Sequence, residues 1–82
     1  MKDRILTEEI INEFHIWLVR EEKSEVTVEK YLRDVRAFLG FAENRPLTKE
    51  LVRAWKNHLL AEHYAAVSIN SMLASLNSLL CF

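Results

Sequence analysis

One helix-start signal recurs four times in this chain, and the recurrence limits its fold more than any other feature. An apolar residue precedes Ser or Thr, and a second apolar residue follows four places after the hydroxyl. The signal occurs as Leu6-Thr7 with Ile11, Val26-Thr27 with Tyr31, Leu47-Thr48 with Val52, and Val67-Ser68 with Met72. Such a hydroxyl accepts a hydrogen bond from a free first-turn amide, and the apolar pair can close as a hydrophobic staple. The hydroxyls stand at 7, 27, 48 and 68, so each helix with its connection takes 20 or 21 residues. That leaves about 14 to 17 helical residues and a short loop per unit. The prediction is an all-α fold, a compact four-helix bundle with helices over about 8–22, 28–43, 49–62 and 69–81. Beyond the caps the four segments share little sequence, so the period reads as a by-product of bundle geometry rather than a repeat array.

Each segment carries an apolar stripe at helical spacing. The stripes are Ile10, Phe14, Trp17 and Leu18; Val28, Tyr31, Leu32, Val35, Phe38 and Leu39; Leu51, Val52, Trp55 and Leu59; and Ile69, Met72, Leu73, Leu76, Leu79 and Leu80. Together they supply one core, which suits a single domain over residues 1–82. Gly40, the only glycine, suggests fraying or a tight helix contact late in the second helix. Asn44, Arg45 and Pro46 form its stop, since the residue before a proline is pushed out of helical conformation. A chain this short hides only about 60 to 65% of its unfolded surface, which disfavours a deep catalytic cleft. The lone Cys81 cannot close an internal disulfide, which favours a reducing, cytoplasmic setting. No apolar run approaches membrane-spanning length, and the opening "MKDRILTEE" is too charged for a signal peptide.

Lysine and arginine total 11 against 12 acidic residues, a net charge of −1. Nucleic-acid domains usually carry a basic excess, because phosphate neutralisation dominates their affinity. The distribution therefore matters more than the total. On the second helix Lys30, Arg33 and Arg36 fall opposite the apolar stripe, and on the third Lys49, Arg53 and Lys56 share another outward stripe. The first helix concentrates acid at Glu8, Glu9, Glu13, Glu21 and Glu22. A solvated face is the alternative, with Glu29–Arg33 and Lys30–Asp34 as neutralising i,i+4 pairs. The fourth helix has no charged residue from Ala65 to Phe82, and its outward face reads as Asn70, Ser71, Ala74, Ser75, Asn77 and Ser78. Small polar faces suit close approach, either to another helix or to a DNA groove where Asn pairs with adenine and Ser reaches phosphate or base edges.

These residues resemble the N-terminal core-binding domain, also called SAM-like, of tyrosine recombinases and phage integrases. The similarity runs through "FHIWLVREEKSEVTVEKYLRDVRAFLGF", "PLTKELVRAWKNHLL" and "VSINSMLASLNSLLCF". Its elements are Thr27-Val28, Tyr31, Asp34-Val35 and Phe38-Leu39, then Leu47-Thr48 and Ser68-Ile69-Asn70. The resemblance implies half of a clamp on double-stranded DNA, with the second and fourth helices facing the major groove. Carried over by position, the candidate contacts are Thr27, Lys30, Arg33, Ser68, Asn70, Ser71 and Asn77. Thr27 and Ser68 would add helix N-terminal amides for phosphate. The family commonly places Arg or Lys just after the Asn of this helix and again near position 77, where this chain has Ser71, Met72 and Asn77. Fewer cations imply weak, salt-sensitive binding by the isolated chain.

The family's chemistry belongs to a separate C-terminal domain with a nucleophilic tyrosine and its Arg, Lys and His partners, and nothing in this chain corresponds to it. The chain thus reads as a non-catalytic fragment stopping at "SLLCF", with Phe82 at a cut edge and other integrase protomers as further partners. Tyr31 belongs to an apolar stripe and Tyr64 to a loop. His58 and His63 do not share a helix face, and His58 with Glu62 gives two ligands at most, so neither a metal nor any other cofactor is expected. No glycine-rich phosphate loop, nucleophile elbow or paired-cysteine motif is present. The rival functions are a helical protein-protein interaction module, docking a partner through the fourth helix or Leu60, and a regulatory integrase part that touches DNA only lightly.

Overall fold

A computed structural model describes residues 4–82; the charged opening Met1 to Asp3, part of the signal-peptide argument, lies outside them. The four helices are α1 (Glu8–Arg20), α2 (Glu25–Ala42), α3 (Lys49–Ala61) and α4 (Ala66–Cys81). Two short strands, β1 (Arg4–Ile5) and β2 (Pro46–Leu47), pair antiparallel and tie the segment before α1 to the segment before α3. This two-residue ribbon is the one element that hydrophobic periodicity did not announce, being too short to have a period.

Local chemistry sets the helix starts in two different ways. Thr7 and Thr48 cap α1 and α3 as expected: each has an extended backbone, and its hydroxyl accepts from the amide three residues on, Ile10 or Leu51. The second and fourth helices begin about three residues earlier than the hydroxyl pattern predicts. Ser24 caps α2, accepting from the Thr27 amide at 3.2 Å and donating its own proton to the Thr27 hydroxyl at 2.9 Å. Ala65 occupies the cap position of α4 with no side-chain bond. Thr27 and Ser68 therefore sit inside the first turn. Their preceding residues, Val26 and Val67, are 77% and 81% exposed, so neither closes a staple.

The period that matters is the pair of helices. Glu21, Glu22 and Lys23 donate to the carbonyls of Trp17, Val19 and Leu18, and Glu62, His63 and Tyr64 donate to those of His58, Leu60 and Leu59. The turns are the same, shifted from Glu22 to His63, both left-handed. Thr7 and Thr48 stand in the same relation. The chain is thus two similar two-helix units, joined where α2 ends. There Glu43 and Asn44 turn left-handed, and the Arg45 guanidinium bonds the Ala42 and Phe41 carbonyls, closing the helix before Pro46.

The core is filled from every helix, with Phe14, Val35, Phe38, Trp55, Ile69 and Leu76 all essentially buried. Phe38 meets Trp55 edge-on at 5.1 Å between ring centroids, a favoured geometry for the ring quadrupoles. Ile11, outside the predicted stripe, is buried, whereas Leu80 stays 44% exposed. The Phe82 ring is half-buried and packs on Phe14 at 5.7 Å and Trp17 at 5.5 Å. Among the described residues no helix is long and apolar enough to cross a membrane.

Gly40 is neither a frayed end nor a close contact. The helix continues to Ala42, and a Cβ built on Gly40 meets nothing within 4 Å. Gly40→Ala is expected to raise stability by about 0.5 to 1 kcal/mol, since it removes backbone freedom from the unfolded chain at no steric cost. Loss of the Ser24 cap is expected to cost about 1 kcal/mol, while Ser68→Ala should stay within about 0.5 kcal/mol. Urea denaturation of the three variants measures these differences.

Candidate nucleic-acid interface

The most extensive helix contact joins α2 to α4, and a polar bridge crosses it. Lys30 was expected to face solvent. Instead its Nζ donates to Asp34 Oδ2 at 2.7 Å, to Ser75 Oγ at 2.9 Å and to the Ser71 carbonyl at 3.2 Å. All three protons of the ammonium are engaged. Ser75 was read as outward, yet it is fully buried and donates to the same Asp34 oxygen at 2.7 Å. The Asp34 side chain is 8% exposed and that of Lys30 34%. Removing a carboxylate from water is costly, and here it is offset by a cation and a hydroxyl converging on one oxygen. No buried side-chain nitrogen or oxygen among the described residues lacks a partner.

A second cation of α2 is paired at the surface. Arg36 Nη1 donates to both carboxylate oxygens of Glu8 on α1, at 2.6 and 2.7 Å. Of the three basic residues expected on one outward stripe, only Arg33 is exposed with no ion-pair partner among the described residues. The Glu29–Arg33 pair expected from spacing is not formed.

The predicted contacts do not share one place. Lys30, Arg33, Ser68 and Ser71 line one groove of about 510 Å³ between α2 and the first half of α4. Tyr64 and the exposed Val67 share it. Asn77 lines a different groove, about 520 Å³, between α3 and α4, facing Lys49, Arg53 and Lys56. Asn70 is exposed and lines neither of these two grooves. Thr27 is half-buried and bonded to Ser24. Sequence reasoning missed the Asp34–Ser75 half of the bridge. A signal was present: Asp34 stands between the core positions Tyr31 and Val35, where a solvated acid would be out of place.

A third groove, about 760 Å³ between α2 and α3, includes His58, Glu62 and His63. His58 stacks on Phe41 at 5.1 Å and approaches Glu62 only to 4.0 Å. Among the described residues no three His, Cys, Asp or Glu side chains converge as metal ligands would.

Four short-looped helices, the last of them charge-free and packed on both α2 and α3, define a small all-α module. The chain matches the model of the family described as phage integrase, N-terminal SAM-like domain, over residues 11–82, and it belongs to that family. The match identifies the non-catalytic N-terminal domain. No curated protein and no solved structure matches the chain.

The bridge predicts a separation of stability from surface charge. Lys30→Met strands the Asp34 carboxylate and is expected to cost about 2 kcal/mol, less than a fully buried pair because a third of the lysine is already solvated. Arg36→Gln breaks an exposed pair and should cost under about 1 kcal/mol. Thermal denaturation followed by circular dichroism distinguishes the two.

Proposed function

We propose that this chain is a DNA-binding, non-catalytic domain of a site-specific tyrosine recombinase of the phage-integrase type, forming half of a clamp on duplex DNA. The observation that carries it is the placement of Arg33 beside Ser68 and Ser71 across one groove between α2 and α4. α4 presents an uncharged outer face of Asn70, Ala74 and Asn77, and a helix of about 10 to 12 Å diameter enters a major groove about 12 Å wide. Asn70 and Asn77 lie seven residues apart on that face and can address base edges. Arg33 holds a phosphate. Ser68 and the first-turn amides of α4, at its positive dipole end, hold another. Lys30 has a positioning role: it fixes α4 against α2, and its charge is already met by Asp34.

With so few unpaired cations on α2, the binding is weak and salt-sensitive. Other integrase protomers and a cytoplasmic setting complete the proposal, with residues 1–82 forming one DNA-binding domain of a protein that acts in DNA integration and recombination. The exposed Val67 and Tyr64 beside the same groove favour a second function, docking of an apolar protein segment there.

Fluorescence anisotropy with a short duplex, measured over a salt series starting at about 50 mM, tests the first function. Arg33→Gln is expected to reduce the magnitude of the log–log salt slope by about 0.9 and to leave the melting temperature unchanged. A wild-type chain that binds no duplex at the lowest salt, with no amide shifts in α2 or α4, rules the function out in favour of protein docking.

A further inference from the structure

Resting on the DNA-binding function, we propose that α3 supplies a second phosphate-binding row, so that α4 lies between two cationic banks. α4 packs against both α2 and α3, and each seam opens outward as a groove. On the α2 side the bank is thin, because Asp34 neutralises Lys30 and Glu8 neutralises Arg36, leaving Arg33. On the α3 side it is not. Lys49, Arg53 and Lys56 are all exposed, share one stripe at spacings of four and three, and have no ion-pair partner among the described residues.

Like charges at that spacing repel one another along a helix. A solvated surface helix usually interleaves acid to relieve this, as α2 does. The only acidic residue of α3, Glu50, lines a different groove, with Arg45 and Pro46. No acidic residue lines the groove between α3 and α4; its rim is Lys49, Arg53 and Lys56 opposite Asn77. Val52 and Leu73 lie in the same groove, and long basic side chains carry their charges past such apolar surface. A strand of phosphates along that rim supplies the anions the protein omits. The duplex then seats α4 in its major groove with one backbone at Arg33 and the other along α3. An acidic amphipathic peptide would meet the same rim, but Asn77 and the uncharged face of α4 continue the surface toward Arg33, which extends beyond what one peptide helix covers.

The double variant Arg53→Gln/Lys56→Gln, compared with Arg33→Gln and wild type, tests this by the same anisotropy salt series. Two lost phosphate contacts are expected to reduce the magnitude of the slope by about 1.8 and to weaken binding at low salt by about tenfold or more. Both side chains are exposed and their removal relieves repulsion along α3, so a melting temperature unchanged or slightly raised is expected to accompany the loss. Independently of any variant, duplex added to wild-type protein should shift the amides of Lys49, Arg53 and Asn77. If the double variant matches wild type while Arg33→Gln weakens binding, the α3 row is overturned and the α2–α4 interface stands. If wild type binds no duplex at all, both fall. If a Leu/Glu helical peptide shifts Leu73 and Asn77 while duplex DNA shifts neither, the groove takes protein and the row is likewise overturned.

Discussion

The relation between α2 and α4 depends on one lysine with three hydrogen bonds. Lys30 reaches a carboxylate on its own helix and a hydroxyl and a carbonyl on α4, so it fixes both the separation and the register of the two helices. Apolar packing alone is tolerant of sliding, because a methyl group has no preferred partner. A buried carboxylate shared by an ammonium and a serine hydroxyl is not, since any slip leaves a polar group dry and unpaired. Ser68 and Ser71 stand beside Arg33 because this bridge holds them there.

The bridge also changes the charge of the surface. Seen as a helix wheel, α2 has three cations facing out. Folded, it has one that is unpaired, since Asp34 and Glu8 each take a partner. The net charge of −1 therefore conceals an uneven arrangement, in which Glu8 and Asp34 pair with the cations of α2 while Lys49, Arg53 and Lys56 of α3 have no ion-pair partner among the described residues. The groove between α3 and α4 becomes electrostatically as significant as the groove first expected to matter.

Local chemistry explains why the element boundaries were only half legible. The hydroxyl at Thr7 or Thr48 caps a helix because an extended residue before the helix can aim its side chain at the third amide. At Thr27 and Ser68 the same apolar-hydroxyl pattern occurs one turn later, inside helices already begun at Glu25 and Ala66. Nothing in the four-residue pattern separates the two cases. What separates them is the tight left-handed turn at Glu22 and at His63, where non-glycine residues adopt a conformation that sequence seldom flags.

The amino-acid sequence by itself determined four helices, their apolar faces, the stop at Pro46 and the family elements Thr27-Val28 through Phe38-Leu39, because each is written in spacings shorter than two helical turns. It also located the basic stripes of α2 and α3 and the charge-free α4. Only the tertiary structure decided which cations remain unpaired, that Ser75 is interior, and that Asn77 belongs with α3 rather than with Lys30 and Arg33. Those outcomes depend on contacts between residues far apart in the chain, 28 positions for Arg36 with Glu8 and 45 for Lys30 with Ser75, and a helical period read along one segment contains no information about which neighbour its polar face will meet.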